Sequence, residues 1–235
     1  MKMTDVEKRV GDFCLRLPEL QLESGCVHGL IGGNGCGKTT LAKLMMGILT
    51  PDSGRIDREG LNEREITMTT QRPYLMHTSV YENLVYPLKL RGKKPREADV
   101  RPWLTRCGLW EKKDQYAGSL SGGERQKLSM IRAMIFKPKL IIVDETLSNL
   151  DPDSVELFEQ WIREIQAQAA VTWVMISHQL SHICRMCDQI HFLSQGELAA
   201  SGPARELLKN CGDERLKAFL ERESLDLNVR GRKVD

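Results

Sequence analysis

The stretch Gly32-Gly33-Asn34-Gly35-Cys36-Gly37-Lys38-Thr39-Thr40 fits G-x-x-x-x-G-K-[ST] and follows the apolar run Val27 to Ile31. This is the pattern of a loop that binds nucleotide phosphates, the alternative being an ordinary glycine-rich turn between strand and helix. Phosphate oxygens must meet several backbone N–H groups at once, so side chains there must be absent or small and the backbone free to take positive φ. Gly32, Gly33, Gly35 and Gly37 supply that freedom. A helix starting near Gly37 aims its N-terminal N–H groups and positive dipole end at the anion, with Lys38 reaching the β- and γ-phosphates of the nucleotide. Thr39 then supplies a hydroxyl to Mg²⁺.

A second constellation is the apolar run Leu140-Ile141-Ile142-Val143 ending in Asp144-Glu145. Beside a phosphate loop, an Asp at the end of a buried strand helps hold Mg²⁺, usually through water, and an adjacent Glu poises the attacking water. Asp144 is thus the candidate metal acid and Glu145 the candidate general base; two acids capping a loop is the plainer reading. Leu120-Ser121-Gly122-Gly123-Glu124 opens a third. Ser121-x-x-Glu124 is a capping box, but that leaves two glycines unexplained in a first helical turn, where each costs about 1 kcal/mol against alanine. A ligand that must approach the backbone closely accounts for them. Cys184 and Cys187 form C-x-x-C near His182 and His191, yet no second cysteine pair completes a zinc set, so they read as small core residues on one helical face with Leu180 and Ile183.

The elements that must position these residues show in the hydropathy pattern. Phe13 to Leu22 alternates as half-buried strands do, which predicts an antiparallel β portion before the phosphate-loop strand. Leu41, Leu44, Met45 and Ile48 share helical spacing ahead of the turn cluster Pro51-Asp52-Ser53-Gly54. Ser79 to Gly92 and Glu97 to Gly108 read as helices of a helical lobe, with Gly108 as C-cap. Beyond Leu140, continuous apolar strands alternate with amphipathic helices, which argues for a parallel sheet covered on both faces. The expected fold is α/β: a nucleotide-binding core with a mostly parallel sheet (residues 1–72 and 119–220), an N-terminal antiparallel β portion, a helical lobe (73–118) and a polar tail (221–235) that frays.

With 235 residues, 41% of them hydrophobic, and a net charge of only +2, nothing marks a nucleic-acid face or a polybasic anchor. No apolar run approaches the ~18 residues that span a bilayer, and the N-terminus lacks a signal-peptide pattern. Seven cysteines without a framework of spacings fit reduced thiols, so a cytoplasmic location is expected.

In order along the chain stand the phosphate loop, Gln71 before Arg72-Pro73-Tyr74, Leu120-Ser121-Gly122-Gly123-Glu124, Asp144-Glu145, Ser148-Asn149-Leu150-Asp151, and His178 after Ile176-Ser177. Over nearly its whole length the chain resembles ATP-binding cassette (ABC) transporter ATPases. The resemblance implies a head-to-tail homodimer, or a dimer with a related subunit. Each ATP would lie between the phosphate loop of one subunit and Ser121, Gly122 and Gly123 of the other. It also implies that Gln71 contacts Mg²⁺ and senses integral membrane transporter subunits, that Asp151 links the two sites, and that His178 holds the γ-phosphate and the attacking water. Such a subunit would sit peripherally on the cytoplasmic face of the membrane. The run from Gln71 to Leu84 is similar to importer ATPases, loosely those for tungstate or molybdate, which would add a substrate-binding protein. The longer sugar importers' C-terminal regulatory domain is not expected in a chain of this length. Three departures stand out. Val10 occupies the position where the family stacks adenine on an aromatic, leaving Phe13 as a substitute; Thr146 stands where many relatives have proline; and the Gly54–Gln71 segment is short. A non-transport ATPase of the same superfamily and an ATP-gated regulatory module are the competing readings.

Overall fold

The computed structural model describes residues 1–177, 180–209 and 212–230, with the side chains of Ser148, Asn149 and 224–230 left out of the description. His178, expected at the site, lies outside the described residues.

Among the described residues nine strands form one sheet: β1 (Lys2–Val10), β2 (Phe13–Gln21), β3 (Val27–Ile31), β4 (Ser53–Asp57), β5 (Ile66–Thr69), β6 (Leu140–Asp144), β7 (Thr172–Ile176), β8 (Gln189–Ser194) and β9 (Glu197–Pro203), in the order β4-β1-β2-β9-β8-β3-β7-β6-β5. The five strands from β8 to β5 are mutually parallel, and the antiparallel portion, β4, β1 and β2, continues the same sheet through β9. Both expectations, a mostly parallel sheet and an N-terminal antiparallel portion, are met.

Alternation explains why β6 reads as a continuous apolar run. Ile141 and Val143 enter one core cluster with Trp173 and Met175 of β7, while Leu140 and Ile142 enter the opposite cluster with Val174 and Ile176. Successive side chains point to opposite faces of a strand, so a strand covered on both sides must be apolar at every position. On one face lies α1 (Lys38–Met45); the other carries α4 (Gly122–Met134) and α5 (Pro152–Gln168). Between β5 and α4 come α2 (Val80–Lys89) and α3 (Glu97–Arg106), and α6 (Leu180–Met186), α7 (Ala204–Lys209) and α8 (Glu214–Arg230) complete the chain. Gly108 follows α3 with φ 69°, and the Leu109 N–H donates to Leu104 O at 2.8 Å, the expected C-terminal cap.

Local readings fail in four places. Ile48 does not share the buried face of α1: Gly47 turns left-handed at φ 74°, the Ile48 N–H closes back on Lys43 O at 2.9 Å, and Ile48 is left 63% exposed. Ser53 and Gly54, read as turn, begin β4, with Gly54 (φ 80°) pressed against the backbone of Asp5 at a bulge in β1. Cys184 is exposed, whereas Leu180, Ile183 and Cys187 are buried. Of the polar end expected to fray from Glu221 to Asp235, the part to Arg230 continues α8, which buried Leu216 and Phe219 anchor, and residues 231–235 lie outside the described residues.

Candidate functional site

Sheet register assembles the site. Leu30 of β3 pairs with Ile176 of β7, Ile176 pairs with Asp144 of β6, and Val143 pairs with Thr69 of β5. The phosphate loop, Ser177, the Asp144-Glu145 pair and Gln71 therefore all leave the carboxyl edge of parallel strands, the edge where open α/β sheets bind ligands. Asp144 lies two strand spacings from Leu30, about 10 Å, which is room for phosphate oxygens and a hydrated cation between β6 and the loop.

The loop is pre-shaped. Gly32 has φ 148°, and a Cβ there would meet Leu193 O at 2.2 Å and Cys36 Sγ at 2.8 Å, so only glycine fits. The Gly196 N–H donates to Cys36 O at 3.2 Å, fastening the outer side of the loop to the β8–β9 turn. Gly37, in the left-handed region at φ 111°, caps α1 without any side-chain hydrogen bond, and no acid stands in the first turn. Those first-turn amides, together with exposed Asn34 and Gly35, half-buried Gly33 and Thr40, and exposed Thr39, form a bare anion cradle. The buried Lys38 ammonium bridges the loop, donating to Gly32 O at 2.7 Å and Gly33 O at 2.9 Å, and among the described residues it forms no ion pair with a carboxylate. A desolvated cation beside uncapped amides is a donor set that fits the phosphates of ATP. Cys36 turns inward, buried, with Sγ 3.8 Å from Lys38 Nζ. The Phe13 ring lies against the loop, its Cζ 2.9 Å from where a Cβ on Gly37 would stand, and it pairs with Val10 across the β1–β2 turn.

Glu145 stands in the left-handed region at φ 49°, ψ 17°, a strained setting for a residue with a Cβ. Its N–H donates to Ile176 O at 2.9 Å, which fixes its backbone to the end of β7, one residue before Ser177. The hard oxygen donors of Asp144 and Thr39 suit Mg²⁺, which when bound would neutralise charge on the phosphates. Gln71 is exposed just beyond β5.

Ser121 caps α4 as the capping box requires: its Oγ accepts from the Glu124 N–H at 3.3 Å, and its own N–H donates to Glu124 Oε2 at 2.9 Å. Lys112 and the Ser121 N–H hold the Glu124 carboxylate down to about 2. The Ser121 hydroxyl adds to that lowering through its own contact with the Glu124 carboxylate. At Gly122 and Gly123 an added Cβ would meet nothing within 4 Å, and neither has positive φ, so nothing among the described residues calls for glycine there.

Two residues that the sequence pattern did not single out lie on α4. Buried Gln126 donates from Nε2 to Thr70 O at 3.2 Å, and Arg132 donates to Tyr74 O at 2.6 Å and to Asn83 Oδ1 at 3.2 Å. Burial pushes the Arg132 guanidinium down from its usual value. Asn83 in turn accepts from the Met76 N–H at 2.8 Å and donates to Met76 O at 3.1 Å. The helix that Ser121 begins thus grips the Gln71 segment on both sides. In the sequence both Gln126 and Arg132 read as polar surface positions of an amphipathic helix, with no local signal of the segment they hold.

The family described as ABC transporter matches residues 15–148. The tungstate uptake system ATP-binding protein TupC of Peptoclostridium acidaminophilum is 36% identical over 194 residues, 80% of this chain and 91% of that protein. A probable sulfate/thiosulfate import ATP-binding protein, CysA of Chlorella vulgaris, is 33% identical over 217 residues, 86% of this chain and 91% of that protein. Methionine import ATP-binding protein MetN of Cupriavidus metallidurans is 35% identical, and the match spans 59% of its length. In structure, cbiO1 from Clostridium perfringens superposes with a TM-score of 0.75 at 24% identity, over 98% of this chain and 96% of that one. With the phosphate loop, the paired acids and the N-cap Ser121 on the edges and termini described above, the chain belongs to the ABC transporter family as an ATP-binding ATPase subunit.

Proposed function

We propose that this chain hydrolyses ATP to drive an importer, working as a head-to-tail dimer with a second copy or a related subunit, against separate membrane-spanning subunits and a substrate-binding protein. The observation that supports the dimer is the first turn of α4: at Gly122 and Gly123 an added Cβ would meet nothing, so glycine there answers no packing need among the described residues and leaves the helix N-terminus open to a ligand. In this reading the phosphate loop and Lys38 bind one side of ATP and the partner copy's capped serine closes the other. Thr39, Asp144 and Gln71 hold Mg²⁺. Glu145 accepts the proton of the attacking water, and Phe13 flanks the adenine. His178 is assigned to the γ-phosphate from its place after β7 alone.

Tyr74 supports docking to a membrane subunit. It is 74% exposed on the segment latched by Asn83 and Arg132, with exposed Tyr86 and Tyr116 on the same lobe, while Leu75 turns into the core. Among the described residues no helix is long and apolar enough to cross a membrane, so docking to separate subunits on the cytoplasmic face of the membrane is the arrangement proposed. For cargo, the tungstate and sulfate relatives favour an oxyanion over methionine, whose MetN relatives include one matched over only 59% of its length.

Glu145→Gln tests the mechanism. Losing a general base lowers turnover by about 10²- to 10⁴-fold, and the variant should hold an ATP-bound dimer that gel filtration resolves. Near-normal turnover would remove Glu145 from the role. Tungstate, sulfate and methionine uptake by the reconstituted transporter would then separate the cargo classes.

A further inference from the structure

Beside the strained Glu145 sits a feature that neither phosphate binding nor metal binding uses. Thr69, the last residue of β5, and Thr146, which follows Glu145, are both buried, and their hydroxyl oxygens stand 2.8 Å apart. Thr146 Oγ1 also lies 3.2 Å from Asp144 O, to which it donates. A hydroxyl carries one proton, so the direction of the pair follows: Thr69 donates to Thr146, and Thr146 donates to Asp144 O. The second of these bonds closes a ring around Glu145, joining the residue before it to the residue after it. The first ties that ring to the strand end two residues before Gln71, whose neighbour Thr70 is itself held by Gln126.

A left-handed residue with a Cβ persists only where its surroundings over-determine it. At Glu145 its own N–H on Ile176 O is one restraint, and the ring closed by Thr146 is a second. We propose that Thr146, backed by Thr69, is a positioning residue for Glu145: the buried hydroxyl pair holds the base in its left-handed pose and fixes it to the strand end that carries Gln71. This rests on Glu145 being the base. Neither threonine touches ATP in this role, so the pair acts on the chemical step and leaves nucleotide binding alone.

The test is steady-state kinetics on the full chain. Thr146→Val keeps size and branching and removes the hydroxyl; turnover should fall between about 10- and 100-fold, the cost of a small misplacement of a reacting group, while KM for ATP stays within about threefold. Thr146→Ser should recover most of the loss. Thr69→Val removes only the backing donor and should cost about three- to tenfold, and the double valine variant should be no worse than Thr146→Val, since both lesions break one chain of bonds. In a Glu145→Gln background, Thr146→Val should leave the ATP-bound dimer unchanged on gel filtration. Turnover of Thr146→Val within twofold of the parent overturns the proposal, as does a loss that serine does not recover or a rise in KM that matches the fall in turnover. Should Thr146→Val fail to fold, Thr69→Val decides: unchanged turnover overturns the proposal and a loss at constant KM upholds it. Failure of the base assignment itself would show separately, as full turnover in Glu145→Gln.

Discussion

Replacing Gly123 with alanine separates what the chain needs in order to fold from what it needs to work. The built Cβ meets no atom within 4 Å, and the backbone there is ordinary right-handed helix. Inside the monomer the substitution therefore adds a methyl group to open solvent and removes the conformational entropy of glycine. The isolated subunit should gain about 0.5–1 kcal/mol. For a chain of this size that is a rise in Tm of roughly 1–4 °C. The same methyl would stand between the first turn of α4 and a γ-phosphate presented by another subunit. Blocking a preorganised backbone donor costs about 10²- to 10³-fold in turnover, so the more stable variant should be the nearly dead one. Differential scanning calorimetry without nucleotide reads the first quantity, and ATPase turnover with gel filtration in ATP reads the second. A Tm that falls would mean that the glycine serves this chain's own packing. A variant that is more stable and fully active would mean that no ligand approaches α4, and the composite site would go with it. Gly32→Ala is the control, since its Cβ would lie 2.2 Å from Leu193 O, and it should lose stability and nucleotide together.

Mixing Lys38→Ala with Ser121→Arg subunits puts both lesions in one composite site and leaves the other intact, so the mixture should occlude nucleotide where neither mutant homodimer does; equal loss in all three, measured by retained labelled ATP, refutes sharing. Tyr74→Ala should leave Tm and ATP binding unchanged and weaken co-purification with the membrane subunits, whereas Asn83→Ala, which breaks the buried latch on Met76, should lower Tm as well. Cys36, buried with its Sγ turned inward, should resist maleimides with and without ATP, whereas exposed Cys184 should be modified first, read by mass spectrometry. Stability should also fall with acid: burial pushes His191 down to about 3 and lowers buried His28, so from pH 6.5 downward the unfolded chain binds the extra protons. Each histidine then contributes a slope of up to about 1.4 kcal/mol per pH unit, which His191→Gln should flatten in urea melts taken from pH 7 to 4.

The phosphate loop, the acids ending β6 and the N-cap Ser121 were legible in the sequence because each depends on residues adjacent in the chain, where glycine φ, helix caps and strand periodicity act. Their convergence was legible only through resemblance, since it is set by register: Leu30, Ile176 and Asp144 fall in one row across the sheet, and no local pattern encodes that. Side chains that act across long sequence separations stayed hidden. Thr146 showed only as a departure from the expected proline, and its partner Thr69 is 77 residues away; Gln126 and Arg132 looked like the polar face of an amphipathic helix. The buried pair His28 and His191, with ring nitrogens 3.0 Å apart, was equally invisible, because alternating strands hide a polar core residue as well as an apolar one. Ile48 and the end of α8 erred in the opposite direction: helical spacing ran past the left-handed Gly47, and a charged composition concealed an anchored helix.

The grip of α4 on the Gln71 segment has a thermodynamic consequence. One helix carries the serine at its N-terminus and, through Gln126 and Arg132, holds Thr70 and Tyr74 on either side of Gln71. An α-helix does not stretch, so a shift of the segment and a shift of the serine are one displacement counted at two places. Linkage then forbids a one-way signal: by whatever factor a docked membrane subunit changes the affinity for ATP, ATP must change the affinity for that subunit by the same factor. A coupling of 5- to 150-fold, the range typical of such paired sites, would make the strength of assembly a gauge of nucleotide state, readable without measuring transport.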